Sequence, residues 1–394
     1  MPDVAAAAQV RRLGWLHFIN DCTLDFLTPL LPSGVAVGWI GVMEGLADAV
    51  SQGLRLFSGR ASDAQRRRVP WVRAGYLTNA VARPLTAVGM LAAWWWWIVA
   101  CRVLDRLGKG LRSSAADALV ADWTEGEQRA RAYARLRWMD HGGAMLGALA
   151  AAAVAWAVPT EGLWVAVLAL APLALLVAWL AGGLQDRQLP AAPATGAGRP
   201  LGWWPRAAIL RRPLLAIAAA SLALRLSPLL ILMHVAGWSG TAPQAAWPLW
   251  QLCLGWAALG LIQALAAAAA GALTVRVGPR RALQALWALA AADCALLAVG
   301  EGPALLLAGL LWGLIQGALE GTEKTWLAEL APAAERGLAF AALALVGAGA
   351  GLLGNAACGW VLAHGGPGVF AVLALCCLAG VLLTLGRSGD RGTA

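Results

Sequence analysis

Three ionisable residues recur at every fourth position within one apolar stretch near the start of the chain: His17, Asp21 and Asp25. On a helix this spacing places an imidazole and two carboxylates within about 80° of one another, on one face. A second apolar stretch carries Arg102, Asp105, Arg106, Lys109, Arg112 and Asp117, a mostly cationic stripe at helical spacing. Stripes of opposite sign could bind an anion or exchange a proton, or they could simply pair and hold two helices together. The sequence leaves these open. One imidazole and two carboxylates are also a ligand set that a divalent cation accepts, although the neighbouring arginines and lysine disfavour one. Arg225 and the group Glu320, Glu323 and Lys324 add ionisable residues to two further apolar stretches. For Glu44, Asp48, Asp140 and His141, helix packing or gating is as good a role as ligand contact. No H-E-x-x-H, G-x-S-x-G or phosphate-cradling G-x-x-x-x-G-K-[ST] is present, so the chain reads as no enzyme and as needing no cofactor. All seven cysteines lie in apolar stretches without metal-ligand spacing, which excludes a disulfide framework.

These residues must be positioned by membrane helices. Of 394 residues, 60% are hydrophobic and only 13% charged, against about 25% charged in an ordinary soluble protein. Mean hydropathy is +0.67. Apolar segments broken by Gly, Pro or charge predict helices at residues 13–33, 37–58, 71–91, 95–119, 132–156, 162–182, 208–235, 245–274, 282–299, 303–327, 337–362 and 368–386. The first is read as a retained span and not as a cleaved signal. A polar, Pro/Gly/Ala-rich stretch at 186–207 reads as a cytoplasmic connector and divides the chain into six-helix halves, 1–185 and 208–394. The fold class is therefore all-α and polytopic, with 12 transmembrane helices in two pseudo-symmetric bundles.

Charge sets the orientation. Arginines cluster after helices 2, 4, 6, 8 and 10, whereas the loops around Ser33, Ala93, Thr160, Trp238, Glu301 and Gly366 have no Lys or Arg. Both termini are then cytoplasmic in a cell inner membrane. The net charge of +9 is absorbed by these loops and does not call for nucleic acid. Many of the 22 tryptophans fall at span ends, as interfacial anchors do. The halves also resemble each other at a constant offset of 207: Asp122 falls on Glu329, Arg129 on Arg336, Tyr133 on Phe340, and Gly142 and Gly147 on Gly349 and Gly354. With a period of three, ionisable groups gather on helices 1, 4, 7 and 10, as a duplicated bundle with a central polar cavity requires.

The segment NDCTLDFLTPLLP in helix 1 and DRLGKGLR in helix 4 resemble one bacterial and archaeal branch of the major facilitator superfamily. The likeness runs over nearly the whole chain outside the connector. The superfamily's loop signature after helix 2 is met at Gly59, Asp63, Arg67 and Arg68, which the resemblance assigns to gating, while Ala64 and Arg66 depart from it. In the second half Gly271, Arg276, Gly278 and Arg280 fit the same pattern. Helix 4 departs as well, with Ala115, Ala116 and Asp117 in place of the branch's PRDAL. The resemblance implies a monomeric secondary transporter working by alternating access in the lipid bilayer, with protons and a small molecule as its partners. Proton-coupled efflux of a small organic compound leads. Proton-symport uptake, divalent metal export and a non-transporting receptor or scaffold are the alternatives. Asp21 and Asp25 are the candidate proton carriers, because a carboxylate that alternates between wet and dry surroundings can take up and release a proton. His17, Arg102, Asp105, Arg106, Lys109, Arg112, Asp117, Arg225, Glu320, Glu323 and Lys324 are the candidate cavity residues.

Overall fold

A computed structural model of the chain describes residues 2–65, 67–124, 126–187, 208–238, 247–331, 336–364 and 366–385, and every regular element among them is helical. The first half contains α1 (Pro2–Leu27), α2 (Val37–Gln65), α3 (Val69–Leu91), α4 (Trp95–Trp123), α5 (Gly126–Ala157), α6 (Leu163–Leu168) and α7 (Ala171–Gly182). The second contains α8 (Arg211–Leu224), α9 (Pro228–Val235), α10 (Leu249–Val277), α11 (Pro279–Val299), α12 (Pro303–Leu330), α13 (Arg336–His364) and α14 (Val369–Leu385). Two of the expected spans are broken, and proline explains both. Pro172 stands in the first turn of α7, and Pro228 opens α9. With each broken pair taken as one span, the described helices form twelve segments.

The α8–α9 break differs from the continuous helix expected over 208–235. A residue before proline is pushed out of the α region, and Ser227 accordingly has φ −62° and ψ 130°. Its hydroxyl accepts from the Leu229 amide at 3.3 Å and caps the new helix, which leaves at 42° to α8. A second difference is at α2, which runs to Gln65 and not to residue 58, so Gly59 and Asp63 sit on a helix and not in a loop. The connector residues 188–207 lie outside the described residues.

By length and apolarity six of the described helices can cross a membrane, and α8 with α9 makes a seventh. The shortfall is in α1 to α5, where charged and polar residues interrupt the apolar runs. Their length is not the obstacle: α3, the shortest at 23 residues, rises about 34 Å against a hydrocarbon core of about 30 Å.

The chain divides into two compact units. The first comprises Met1–Ala36, Leu46–Leu201 and Trp247–Gly260; the second comprises Val37–Gly45, Gly202–Ala246 and Leu261–Ala394. In the first, α1 packs on α5 and α3 on α4 around a core that includes Leu16, Val72, Tyr76, Leu119 and Leu136. In the second, α8, α11, α13 and α14 surround buried Trp287 and Phe370. Membrane helices gain little from hydrophobic association and need close backbone approach instead. Gly147 supplies it in the first unit, since a Cβ there would overlap the Cys22 carbonyl of α1. Gly354, its counterpart at the offset of 207, meets the Leu222 carbonyl of α8 in the same way. The duplicated glycine thus does one job twice. Gly75 and Gly108 likewise bring α3 and α4 together and carry Asn79 and Arg83 up to Asp105.

Gly147→Val should therefore force α1 and α5 apart and cost about 1–3 kcal/mol of stability. Gly53→Ala, at a position with nothing within 4 Å of the added Cβ, should leave stability unchanged or slightly raised. Thermal unfolding in detergent compares the two.

Candidate functional site

Asp105 lies at the centre of a buried polar cluster in the first unit and is only 3% exposed. Its Oδ1 accepts from Asn79 Nδ2 at 2.7 Å and from Arg83 Nε at 2.8 Å. Arg83 also donates to the Asn20 carbonyl and the Thr23 hydroxyl, so one guanidinium joins α3, α4 and α1. Arg102 Nη1 stands 4.0 Å from Asp105 and donates to the Thr28 hydroxyl at 3.2 Å, in the 3-10 turn that follows α1. Arg112 donates to Asn79 Oδ1 at 3.2 Å, and its guanidinium lies 4.6 Å over the Tyr76 ring. The buried charges are in this way joined to one another, as a low-dielectric interior demands.

A more accessible set borders this layer. Asp21 accepts from Asn20 Nδ2 at 2.7 Å and lies 4.0 Å from Arg112 Nη2, with 23% of its side chain exposed. Asp25 accepts the indole N–H of Trp256, from α10, at 2.7 Å. Arg106 is half-buried, and Lys109 is exposed. His17 is drawn elsewhere, its Nδ1 2.7 Å from Asp140 on α5. Asp117 lies toward the end of α4, 3.6 Å from Arg55. His17, Asp21 and Asp25 thus share a helix face but engage three different partners, and among the described residues no three His, Cys, Asp or Glu side chains could hold a metal ion.

At the cytoplasm-facing end that the arginine pattern predicts, Arg68 pairs with Asp63 and reaches Asp122 at 3.3 Å. The backbone amides of Arg68 and Val69 both donate to Asp186, at 2.7 and 2.9 Å. Gly59 allows Ser114 of α4 to approach, while Arg67 is exposed. In the second unit Arg225, at the α8–α9 break, donates to Glu323 at 2.7 Å. Asn355 clasps the same break: its Oδ1 accepts from the Ser227 amide at 2.6 Å, and its Nδ2 donates to the Arg225 carbonyl at 2.8 Å. Ser227 in turn donates to Glu44 at 3.4 Å. Lys324 is exposed; the Glu320 side chain lies outside the described residues.

Sequence reasoning missed Asn79, Asn355 and Trp256. The two asparagines were visible as amides stranded in apolar helices. Nothing distinguished Trp256 from 21 other tryptophans.

A family profile, the Major Facilitator Superfamily, matches residues 13–259. A Methanocaldococcus jannaschii protein described as an uncharacterized MFS-type transporter is 30% identical over 150 residues, 37% of each chain. An uncharacterized Mycobacterium tuberculosis protein is 38% identical over 127 residues, 32% of this chain and 30% of its own. These matches span about a third of each relative's length. Among solved structures, a variant of the nucleoside transporter NupG superposes with a TM-score of 0.73 over 96% of this chain and 98% of its own, at 11% identity. A bacterial homologue of the iron transporter ferroportin, in an inward-facing state, gives 0.68 over 98% and 99%, at 15% identity. Identities this low speak for the fold alone. The profile match over more than half of the residues settles membership: the chain is a multi-pass membrane protein of the major facilitator superfamily, a family of secondary transporters.

Proposed function

We propose that the protein exports a small organic compound in exchange for protons, that it works by alternating access in the inner membrane with both termini cytoplasmic, and that Asp21 is the principal proton carrier. The observation that carries this reading is the contrast between two carboxylates on adjacent stretches of the bundle. Asp105 is sealed and held by short bonds to an arginine and an amide. Asp21 is partly exposed, accepts from the Asn20 amide at 2.7 Å, and has the Arg112 guanidinium standing back at 4.0 Å. A proton carrier needs that second environment, because it must meet water in one state and lose it in the other. Asp25, held by the Trp256 indole, is the secondary candidate. The six-helix halves 1–185 and 208–394 are the moving bodies in this reading, with Arg225, Glu320, Glu323 and Lys324 as the contribution of the second half.

Asp21→Asn should abolish transport driven by a pH gradient while leaving substrate exchange and folding largely intact, measured in proteoliposomes. Normal pH dependence in the Asn variant would remove Asp21 from the coupling role. Gating should depend on the end of α2: Asp63→Asn breaks the Arg68 pair and should shift the balance between inward- and outward-open states. Electron-electron distances between spin labels on the two halves read that shift, and unchanged distributions would count against a latch. Cysteines introduced at Ser33 and Thr160 should react with impermeant reagents from the periplasmic side. Labelling from the cytoplasmic side alone would invert the topology.

A further inference from the structure

We propose that the Lys109 ammonium is the docking point for one anionic group, a carboxylate or a phosphate, of the transported compound. This rests on the transport reading above and adds the chemical class of the cargo. Lys109 is the central residue of α4, fifteenth of 29. It shares a helix face with Arg102, Asp105, Arg106 and Arg112, at spacings of three, four and seven, so its exposed side chain opens toward the polar cluster and away from Leu104. An ammonium at mid-membrane depth needs a counter-charge.

Three of the nearby acids are already engaged. Asp105 is taken by Arg83 and Asn79, Asp21 by Asn20 with Arg112 beside it, and Asp25 by Trp256. Asp48 on α2 acts on Lys109 through its charge, without an ion-pair contact among the described residues. Among the described residues no carboxylate oxygen lies within 4 Å of the Lys109 ammonium. The positive fields of Arg106 and Arg112 also reach it, so a bound anion would relieve repulsion as well as complete the ion pair. The residue type fits the task. The chain has 30 basic residues, and only Lys109 and Lys324 are lysines. An ammonium on a flexible stem binds carboxylate or phosphate as a point charge, without the bidentate geometry that an arginine imposes, and so suits a group that must be held and then released.

That scarcity of lysine gives a direct test. The full-length protein in phosphatidylcholine nanodiscs is treated with an amine-acetylating reagent, and modification of Lys109 and Lys324 is followed by mass spectrometry. The probes are benzoate and phenyl phosphate, each set against its neutral counterpart, benzamide or phenol. At saturation at least one anion should slow Lys109 acetylation about tenfold and leave Lys324 unaffected, and the neutral compounds should not protect. Lys109→Gln should weaken binding of the protecting anion, read by thermal shift, about ten- to a hundredfold, and Lys109→Arg should restore most of it. Protection by the neutral compounds, equal protection of Lys324, or no protection by either anion would overturn the proposal. Protection by phosphatidylglycerol without any probe would also overturn it, because the anion would then be a lipid headgroup and not cargo. Proteoliposome flux separates the two levels. Proton-driven transport with Lys109 unprotected defeats this inference alone, whereas protection without flux of any probe defeats the transport reading and leaves the anion site standing.

Discussion

The carboxylate of Asp105 has to be neutralised inside a membrane helix, and much of the first unit is arranged around that requirement. A charge at mid-bilayer costs at least about 2.5–3.5 kcal/mol even on the most lenient scales, and a buried ion left without its partner costs about 3–5 kcal/mol. Asp105 escapes this cost by taking Arg83 and Asn79 from α3 and by standing near Arg102 on its own helix. Arg83 has hydrogen-bonding capacity to spare and spends it on α1, at the Asn20 carbonyl and the Thr23 hydroxyl. Three helices are thereby registered by one ion pair. The approach is possible because Gly75 and Gly108 let the α3 and α4 backbones touch.

In the proposed mechanism this buried layer leaves the accessible one free for proton coupling. With Arg83 and Arg102 committed to Asp105, the more accessible charges beside this layer are Asp21, Asp25, Arg106 and Lys109. Asp21 meets the Arg112 guanidinium only at 4.0 Å, its shorter bond being to the Asn20 amide at 2.7 Å. A transporter needs both kinds of charge, since structural pairs must survive the motion that its exchangeable groups undergo. The second unit makes a comparable division at the α8–α9 break, where Asn355 holds the loosened backbone while Arg225 pairs with Glu323.

The helical segments were legible because apolar length and the loop arginines leave few alternatives, and the duplication was legible in the offset of 207 that Gly147 and Gly354 share. The break before Pro228 was written in the sequence and read through, since proline can also kink a membrane helix without ending it. Pairings were harder. Helix 1's stripe and helix 4's stripe were visible as stripes, but which cation meets which acid depends on the helix–helix approach set by glycines far away in sequence. So His17, on the same face as Asp21, pairs with Asp140 on α5, and Asp25 meets an indole instead of a guanidinium. Trp256 could not be singled out, because its hydrogen bond spans 231 residues and its composition matches that of every membrane-anchoring tryptophan.

The most direct test of the central claim, that an accessible carboxylate layer in the first unit couples cargo to protons, is substrate-dependent proton flux in proteoliposomes loaded with a pH-sensitive dye. Adding a transported compound should move protons in the direction opposite to the compound, in fixed ratio to its flux. Substrate movement at full rate with no accompanying change in lumenal pH would contradict the claim.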